Sequence, residues 1–218
     1  LFPYTTLFRS REVQNKSIEQ MRIPLGIVAT ELQSGKGVLF RTGNTGQAVR
    51  ASCSVPGVFQ PTVIAGKEYV DGGLVAPVPV SYARQMGATL VIAVNISSEP
   101  VHQDASGTFG VLQQTISIMQ RSINQFELKS ADVVITPLLK QMSSGDFKSR
   151  NAAILAGEVA TQEQMGLIKE KLKNLWTKNK NWSGWFWVDG SWIWELRESK
   201  LPARIFAVEN RVKKDYKL

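Results

Sequence analysis

One short segment carries the residues best suited to chemistry: Tyr69-Val70-Asp71-Gly72-Gly73. An apolar strand delivers a single carboxylate to its end, and the two glycines behind it let the backbone turn away without steric cost. A carboxylate presented in this way at the rim of a sheet can act as a general base. Asp-Gly is also a common turn pair, so spacing alone leaves the plainer reading of a tight turn open. Upstream lies the run Ala51-Ser52-Cys53-Ser54-Val55-Pro56-Gly57-Val58-Phe59-Gln60-Pro61. Ser52 and Ser54 lack flanking glycines and are expected to bond to local backbone instead of acting as nucleophiles. Cys53, among small residues, reads as a packed small hydrophobe.

The elements that must position Asp71 follow from the pattern around it. Arg22 to Ala29 reads as a strand emerging from a proline, with Gly37 to Arg41 as a short partner across Ser34-Gly35. Thr45 to Ser52 fits a helix stopped by Pro56-Gly57, and Val80 to Met86 a helix ended by Gly87. Leu90 to Asn95 is a continuous apolar run, typical of a strand covered on both faces. Phe109 to Leu128 has mixed helical spacing, Val133 to Ile135 is another strand, and Ala152 to Trp176 is the longest amphipathic helix, with Glu158 on it in an exposed or capping place. Strand, helix and buried strand in succession suggest a parallel crossover, and the sum is a layered α/β domain with its catalytic loops at the carboxyl ends of strands.

The order of these pieces is itself informative. With Ile27-Val28-Ala29-Thr30-Glu31-Leu32-Gln33-Ser34-Gly35 upstream and Pro77-Val78-Pro79-Val80 downstream, the Asp71 segment resembles the patatin-like phospholipases, whose catalytic Asp lies in an Asp-Gly-Gly or Asp-Gly-Ala motif. The resemblance runs from about Pro24 to Gly157. It takes in Val49-Arg50-Ala51-Ser52 before Pro56-Gly57-Val58-Phe59, then Ala131-Asp132-Val133-Val134-Ile135 and Ser144-Gly145-Asp146-Phe147. Ala76 stands where members of the family often carry Asn. The resemblance implies an α/β/α layered domain with a largely parallel sheet. It further implies a Ser–Asp dyad in which Asp71 is the base, Gly72 and Gly73 setting the path of its loop, and a lipid or fatty-acyl ester as substrate.

The serine of such a dyad stands in a Gly-x-Ser-x-Gly elbow, and no two glycines of this sequence are four positions apart. The family's glycine-rich oxyanion loop is not found either. Residues 1–10, Leu1-Phe2-Pro3-Tyr4-Thr5-Thr6-Leu7-Phe8-Arg9-Ser10, read as the in-frame translation of a sequencing-library adapter and are set apart from fold reasoning. The expectation is a domain truncated at its N-terminus: residues 11–176 are the C-terminal part of an acyl hydrolase domain, with the elbow upstream and the fragment alone inactive.

After Trp176 the composition changes. All six tryptophans fall between Trp176 and Trp194, and residues 177–203 contain a hairpin signal: with Asp189-Gly190 as the turn, Trp187 faces Trp192 and Trp185 faces Trp194. The preferred reading is a stapled hairpin capping the domain; the other is an interfacial foot in lipid headgroups. Residues 204–218 open a further unit or form a frayed basic tail.

Composition sets outer bounds. The 218 residues, 43% hydrophobic and 20% charged, suit one globular core with some length to spare. No apolar stretch approaches the roughly twenty residues of a membrane helix. The compartment stays open between the cytoplasm and a periplasmic or outer-membrane association. One Cys excludes an internal disulfide framework, and one His with no carboxylate cage indicates neither metal nor diffusible cofactor. A net charge of +8 suits an anionic membrane surface, although a solvated helix face and tail explain it more simply; no signature of nucleic-acid binding accompanies the charge. Two rivals to the lipid acyl hydrolase are a non-catalytic scaffold of the same fold and a nucleotide-binding domain. For the latter, Gly35-Lys36-Gly37 and Gly43-Asn44-Thr45-Gly46 fit neither phosphate-binding fingerprint.

Overall fold

A computed structural model describes residues 16–97, 107–139 and 147–178, together with two strands at 184–188 and 191–195. The decamer 1–10, His102, the loop residues 144–146, the turn Asp189-Gly190 and the tail 204–218 lie outside the described residues.

Strand β1 (Ile27–Glu31) is buried along Ile27, Val28, Ala29 and Thr30, so both of its faces are covered. It turns through residues 32–36, with Gly35 in the left-handed region at φ 68°, into β2 (Gly37–Phe40). Helix α1 (Thr45–Ser52) starts at Asn44, whose side chain accepts from the Gln47 N–H at 2.9 Å and satisfies one of the free amides of the first turn. The helix buries small residues, Gly46, Ala48 and Ala51, which lets it lie close to the sheet. Ala51 packs with Ala29 and Tyr69, and Phe40 meets the Tyr69 ring edge-on at 5.2 Å. Strands β3 (Thr62–Ile64) and β4 (Lys67–Asp71) are joined by Ala65-Gly66, both at positive φ as a two-residue hairpin turn of the right twist requires.

These strands form one sheet in the order β2-β1-β4-β3, antiparallel at every pairing. The largely parallel sheet expected from the sequence is therefore corrected. The links β1–β2 and β3–β4 are too short for the crossover of a dozen or more residues that a parallel neighbour needs. Parallel pairing occurs between β5 (Ile92–Val94) and β6 (Val133–Ile135), with α3 (Gly107–Glu127) between them in sequence. The crossover thus joins β5 to β6 and not β4 to β5.

Helix α2 (Val80–Gln85) ends at Gly87, φ 92°, and buries Val80 with Val78, Ala88, Val91 and Ala93. Arg84 of α2 meets Asp132 at 2.6 Å, and the same carboxylate oxygen accepts from the Val91 N–H at 2.7 Å, so Asp132 ties α2 to the starts of β5 and β6. Helix α4 (Arg150–Lys178) packs Ala160 and Ile168 onto Val133 and Ile135 of β6. The run Leu90 to Asn95 is covered only in part: Leu90, Val91 and Ala93 are buried, whereas Val94 is 51% exposed. At the far end of the chain β7 (Gly184–Val188) pairs antiparallel with β8 (Ser191–Glu195), Trp185 opposite Trp194 and Trp187 opposite Trp192 along the backbone.

Candidate active site

Asp71 is the last residue of β4, opposite Ala29 of β1. Its peptide is held from two sides. The Asp71 N–H donates to the Ser54 carbonyl at 3.0 Å, and the Asp71 carbonyl accepts from Thr30 Oγ1 at 2.9 Å. The side chain is held by a third bond, in which Oδ1 accepts from the Gly73 N–H at 2.7 Å and caps the single 3₁₀ turn Gly72–Leu74. Ser54, just 2% exposed, donates from Oγ to the Arg50 carbonyl at 2.8 Å and pairs with Thr62 Oγ1 at 3.0 Å. It is a buried brace for the Asp71 backbone, consistent with the local bonding expected of it. Cys53 departs from expectation: it is exposed, at the C-terminal cap of α1, although Ala51 and Ser54 on either side of it are buried.

Burial pushes the Asp71 carboxyl above the ordinary Asp value, and the bond from the Gly73 N–H works in the opposite direction. No cation contributes to its environment among the described residues; the ion pairs found there are Arg84–Asp132 and Lys67–Glu31. Glu31, although next to Thr30, is spent on Lys67 at 2.9 Å at the surface. A half-buried carboxylate with one oxygen fixed and no counter-ion has the properties of a proton acceptor.

The two glycines serve a different purpose from the one their sequence suggests. Neither has a positive φ, so conformational freedom is not what the turn requires of them. A methyl on Gly72 would run into the backbone carbonyl of Val28 in β1. A methyl on Gly73 would stand 2.9 Å from Gln120 Nε2 of α3 and 3.0 Å from Asp71 Oδ1. What both positions demand is the absence of a Cβ. Ala76, where the family often has Asn, is 4% exposed, and its N–H donates to the Gly72 carbonyl at 2.9 Å, so backbone alone closes the turn there.

Thr30 and Gln120 are site residues that the sequence reading did not single out. Thr30 lies inside the Ile27–Gly35 motif, and its neighbours Ala29 and Val28 mark a buried strand in which a hydroxyl must find a partner. Gln120 shares one face of α3 with Asn124 and Glu127, at the i, i+4, i+7 spacing that was the only signal available. Asn124, 4% exposed, donates from Nδ2 to Ser97 Oγ at 2.7 Å. Glu127 accepts from the N–H and Oγ of Ser81 at the start of α2, both at 2.9 Å. Among the described residues no three His, Cys, Asp or Glu side chains gather as a metal site, and no helix is long and apolar enough to cross a membrane.

Comparison with known proteins agrees with the resemblance read from the motifs. Residues 3–84, which contain Thr30, Asp71, Gly72 and Gly73, match the family described as Patatin-like phospholipase. The match starts within the decamer set apart above and ends before the later pieces at 131–135 and 144–147. An uncharacterized NTE family protein of Mycobacterium tuberculosis is 34% identical over 116 residues, 53% of this chain and 32% of that protein. The human patatin-like phospholipase domain-containing protein 6 is 30% identical over 108 residues, 45% of this chain and 8% of its own length. The mouse patatin-like phospholipase domain-containing protein 7 is 28% identical over 107 residues, 44% of this chain and 8% of its own length. The chain thus spans about a third of the first relative and less than a tenth of the other two.

Proposed function

We propose that this chain, a relative of the patatin-like phospholipases, carries the base of a Ser–Asp dyad that hydrolyses lipid or fatty-acyl esters. The observation that carries the reading is Asp71 itself: a half-buried residue at the end of a strand, its peptide held by two hydrogen bonds and its carboxylate by one, with no cation beside it among the described residues. In this reading the nucleophilic serine comes from a segment outside these 218 residues. As its Oγ attacks the ester carbonyl carbon, the hydroxyl proton passes to Asp71 Oδ2. The tetrahedral intermediate collapses, the proton leaves with the departing alcohol, and the acyl group stays on the serine. Water then attacks the acyl carbon, gives its proton to Asp71, and the fatty acid leaves as the serine regains its hydrogen. Direct transfer without a histidine requires the carboxylate and hydroxyl to approach to about 2.6–3.2 Å.

Asp71→Asn in the full-length enzyme tests this. Asn keeps an acceptor for the Gly73 N–H, so the fold persists, and ester hydrolysis is expected to fall by about 10²–10⁴-fold. Hydrolysis within a few-fold of wild type would take Asp71 out of the chemistry and leave the non-catalytic scaffold as the better reading.

A further inference from the structure

We propose that Gln120 of α3 is a positioning residue for Asp71, its carboxamide seated across the bare Cα of Gly73 as a wedge that fixes the carboxylate-bearing turn. The inference rests on the acyl-hydrolase reading for its catalytic meaning, but not for its geometry. A Cβ on Gly73 would stand 2.9 Å from Gln120 Nε2 and 3.0 Å from Asp71 Oδ1, so there is no room for a methyl between the glycine and these two groups. Adding one forces the amide or the carboxylate to move, and its absence lets both close over the same Cα. Because Gly73 has no positive φ, closeness to these two groups is the reason for a glycine at this position.

Gln120 is held where it is by its own helix face. Four residues on, Asn124 is bonded to Ser97; seven on, Glu127 is bonded twice to Ser81. These contacts set the rotation of α3 about its axis, so the side chain at position 120 projects toward the Gly72–Leu74 turn. The two glycines then differ in kind. Gly72 is confined by the Val28 carbonyl, a backbone atom that no substitution removes, whereas Gly73 is confined in part by the far end of a flexible side chain, which can be shortened.

A double-variant cycle reads this difference without catalysis. In the 218-residue chain, Gly73→Ala is expected to lower Tm, and adding Gln120→Ala should recover at least half of the loss. Gly72→Ala combined with Gln120→Ala should be additive. Additivity at 73 and 120 as well would overturn the proposed placement. In the full-length enzyme, Gln120→Ala is expected to lower kcat about tenfold at unchanged KM, and Gln120→Met, which keeps a side chain of similar length over Gly73, to stay within about threefold of wild type. An unchanged kcat in Gln120→Ala would overturn the positioning role even with the stability coupling intact. Full turnover in Asp71→Asn is a separate outcome: it would sink the hydrolase reading while the coupling at 73 and 120 still stood or fell by itself.

Discussion

The junction of β1 and β4 that carries Asp71 and the outer helix faces beside the parallel pair use their apolar residues in opposite ways. At the junction they are enclosed: Ala29 and Ala51 are fully buried and Val70 is 3% exposed, whereas Val63 on the edge strand β3 of the same sheet is 59% exposed. In the other region Val94, Phe126 and Leu155 are 51%, 71% and 60% exposed, and α3 turns Gln120 and Asn124 inward while Ile118, Met119 and Phe126 face out. An enclosed region must satisfy its own polar groups, because water cannot. Thr30, Ser54 and Thr62 are bonded for that reason, and two of them grip the Asp71 peptide. The precision of the candidate base is thus a by-product of how tightly its surroundings are closed. The open region contributes one side chain to the site, and its outer face contributes none.

The largest effect that would break this contrast is expected at Gly72. Gly72→Ala drives a methyl into the Val28 carbonyl in the middle of β1, where neither strand can retreat without losing ladder bonds to the other. A loss of roughly 1–3 kcal/mol is expected, the range for overpacking a tight core. Chemical denaturation would measure it; a Tm and midpoint equal to wild type would mean that the β1–β4 junction is looser than described.

Thr30→Val comes next. The side chains are nearly equal in volume, so packing survives, but the Asp71 carbonyl loses its donor in a site only 4% exposed at residue 30. Leaving an acceptor unpaired there is expected to cost about 1–2 kcal/mol. Under the hydrolase reading proposed above, the same loss frees one of the two backbone anchors of Asp71, so ester hydrolysis by the full-length protein should fall on the order of tenfold. Thr30→Ser, which keeps the hydroxyl, should recover most of both. Equal behaviour of the Val and Ser variants would show that the hydroxyl bond is not what holds Asp71.

How much of this was readable from the chain follows the distance over which each feature is encoded. Asp71 was legible because strand, carboxylate and glycines are contiguous, and α1 was legible because the Pro56-Gly57 stop lies within a few residues of its end. The antiparallel order was not, since an apolar run at 27–30 shows burial on both faces without showing the direction of its neighbours. Short links between strands were visible, and they were the better guide. The residues around the Asp71 turn were hidden by separation: Thr30, which bonds the Asp71 carbonyl, lies 41 positions before it, and Gln120, beside Gly73, lies 49 after. A glutamine on a helix with apolar residues on its opposite side reads as solvent-facing by default, and α3 inverts that rule.

Asp71→Asn sharpens the comparison through its pH dependence. The folded-state carboxyl titrates above the ordinary Asp value because burial disfavours its charged form. Its contribution to stability is therefore fully present below the unfolded value of about 3.9 and is lost as pH rises through the folded one. Asn carries no such loss. The variant should be more stable than wild type at neutral pH, with the difference closing below about pH 4, the ordinary Asp range. Paired thermal melts across that window check it, and a variant less stable than wild type at neutral pH would point to a counter-ion that Asp71 has lost.

The smallest effect is expected in the open region, at Phe126→Gln. Phe126 is 71% exposed, and the Lys129 ammonium, also at the surface, lies 5.3 Å from its ring centroid. An exposed contact of this kind contributes about 0.5–1 kcal/mol at most, and glutamine, a better helix former than phenylalanine, offsets part of that. The net change should stay within about 0.5 kcal/mol, as for other surface positions. Binding of an apolar dye should fall in the same variant, since the ring is part of the uncovered side of α3. A stability loss as large as that of Gly72→Ala would mean that Phe126 is covered in solution, and the division between an enclosed and an open half would have to be redrawn with α3 on the enclosed side.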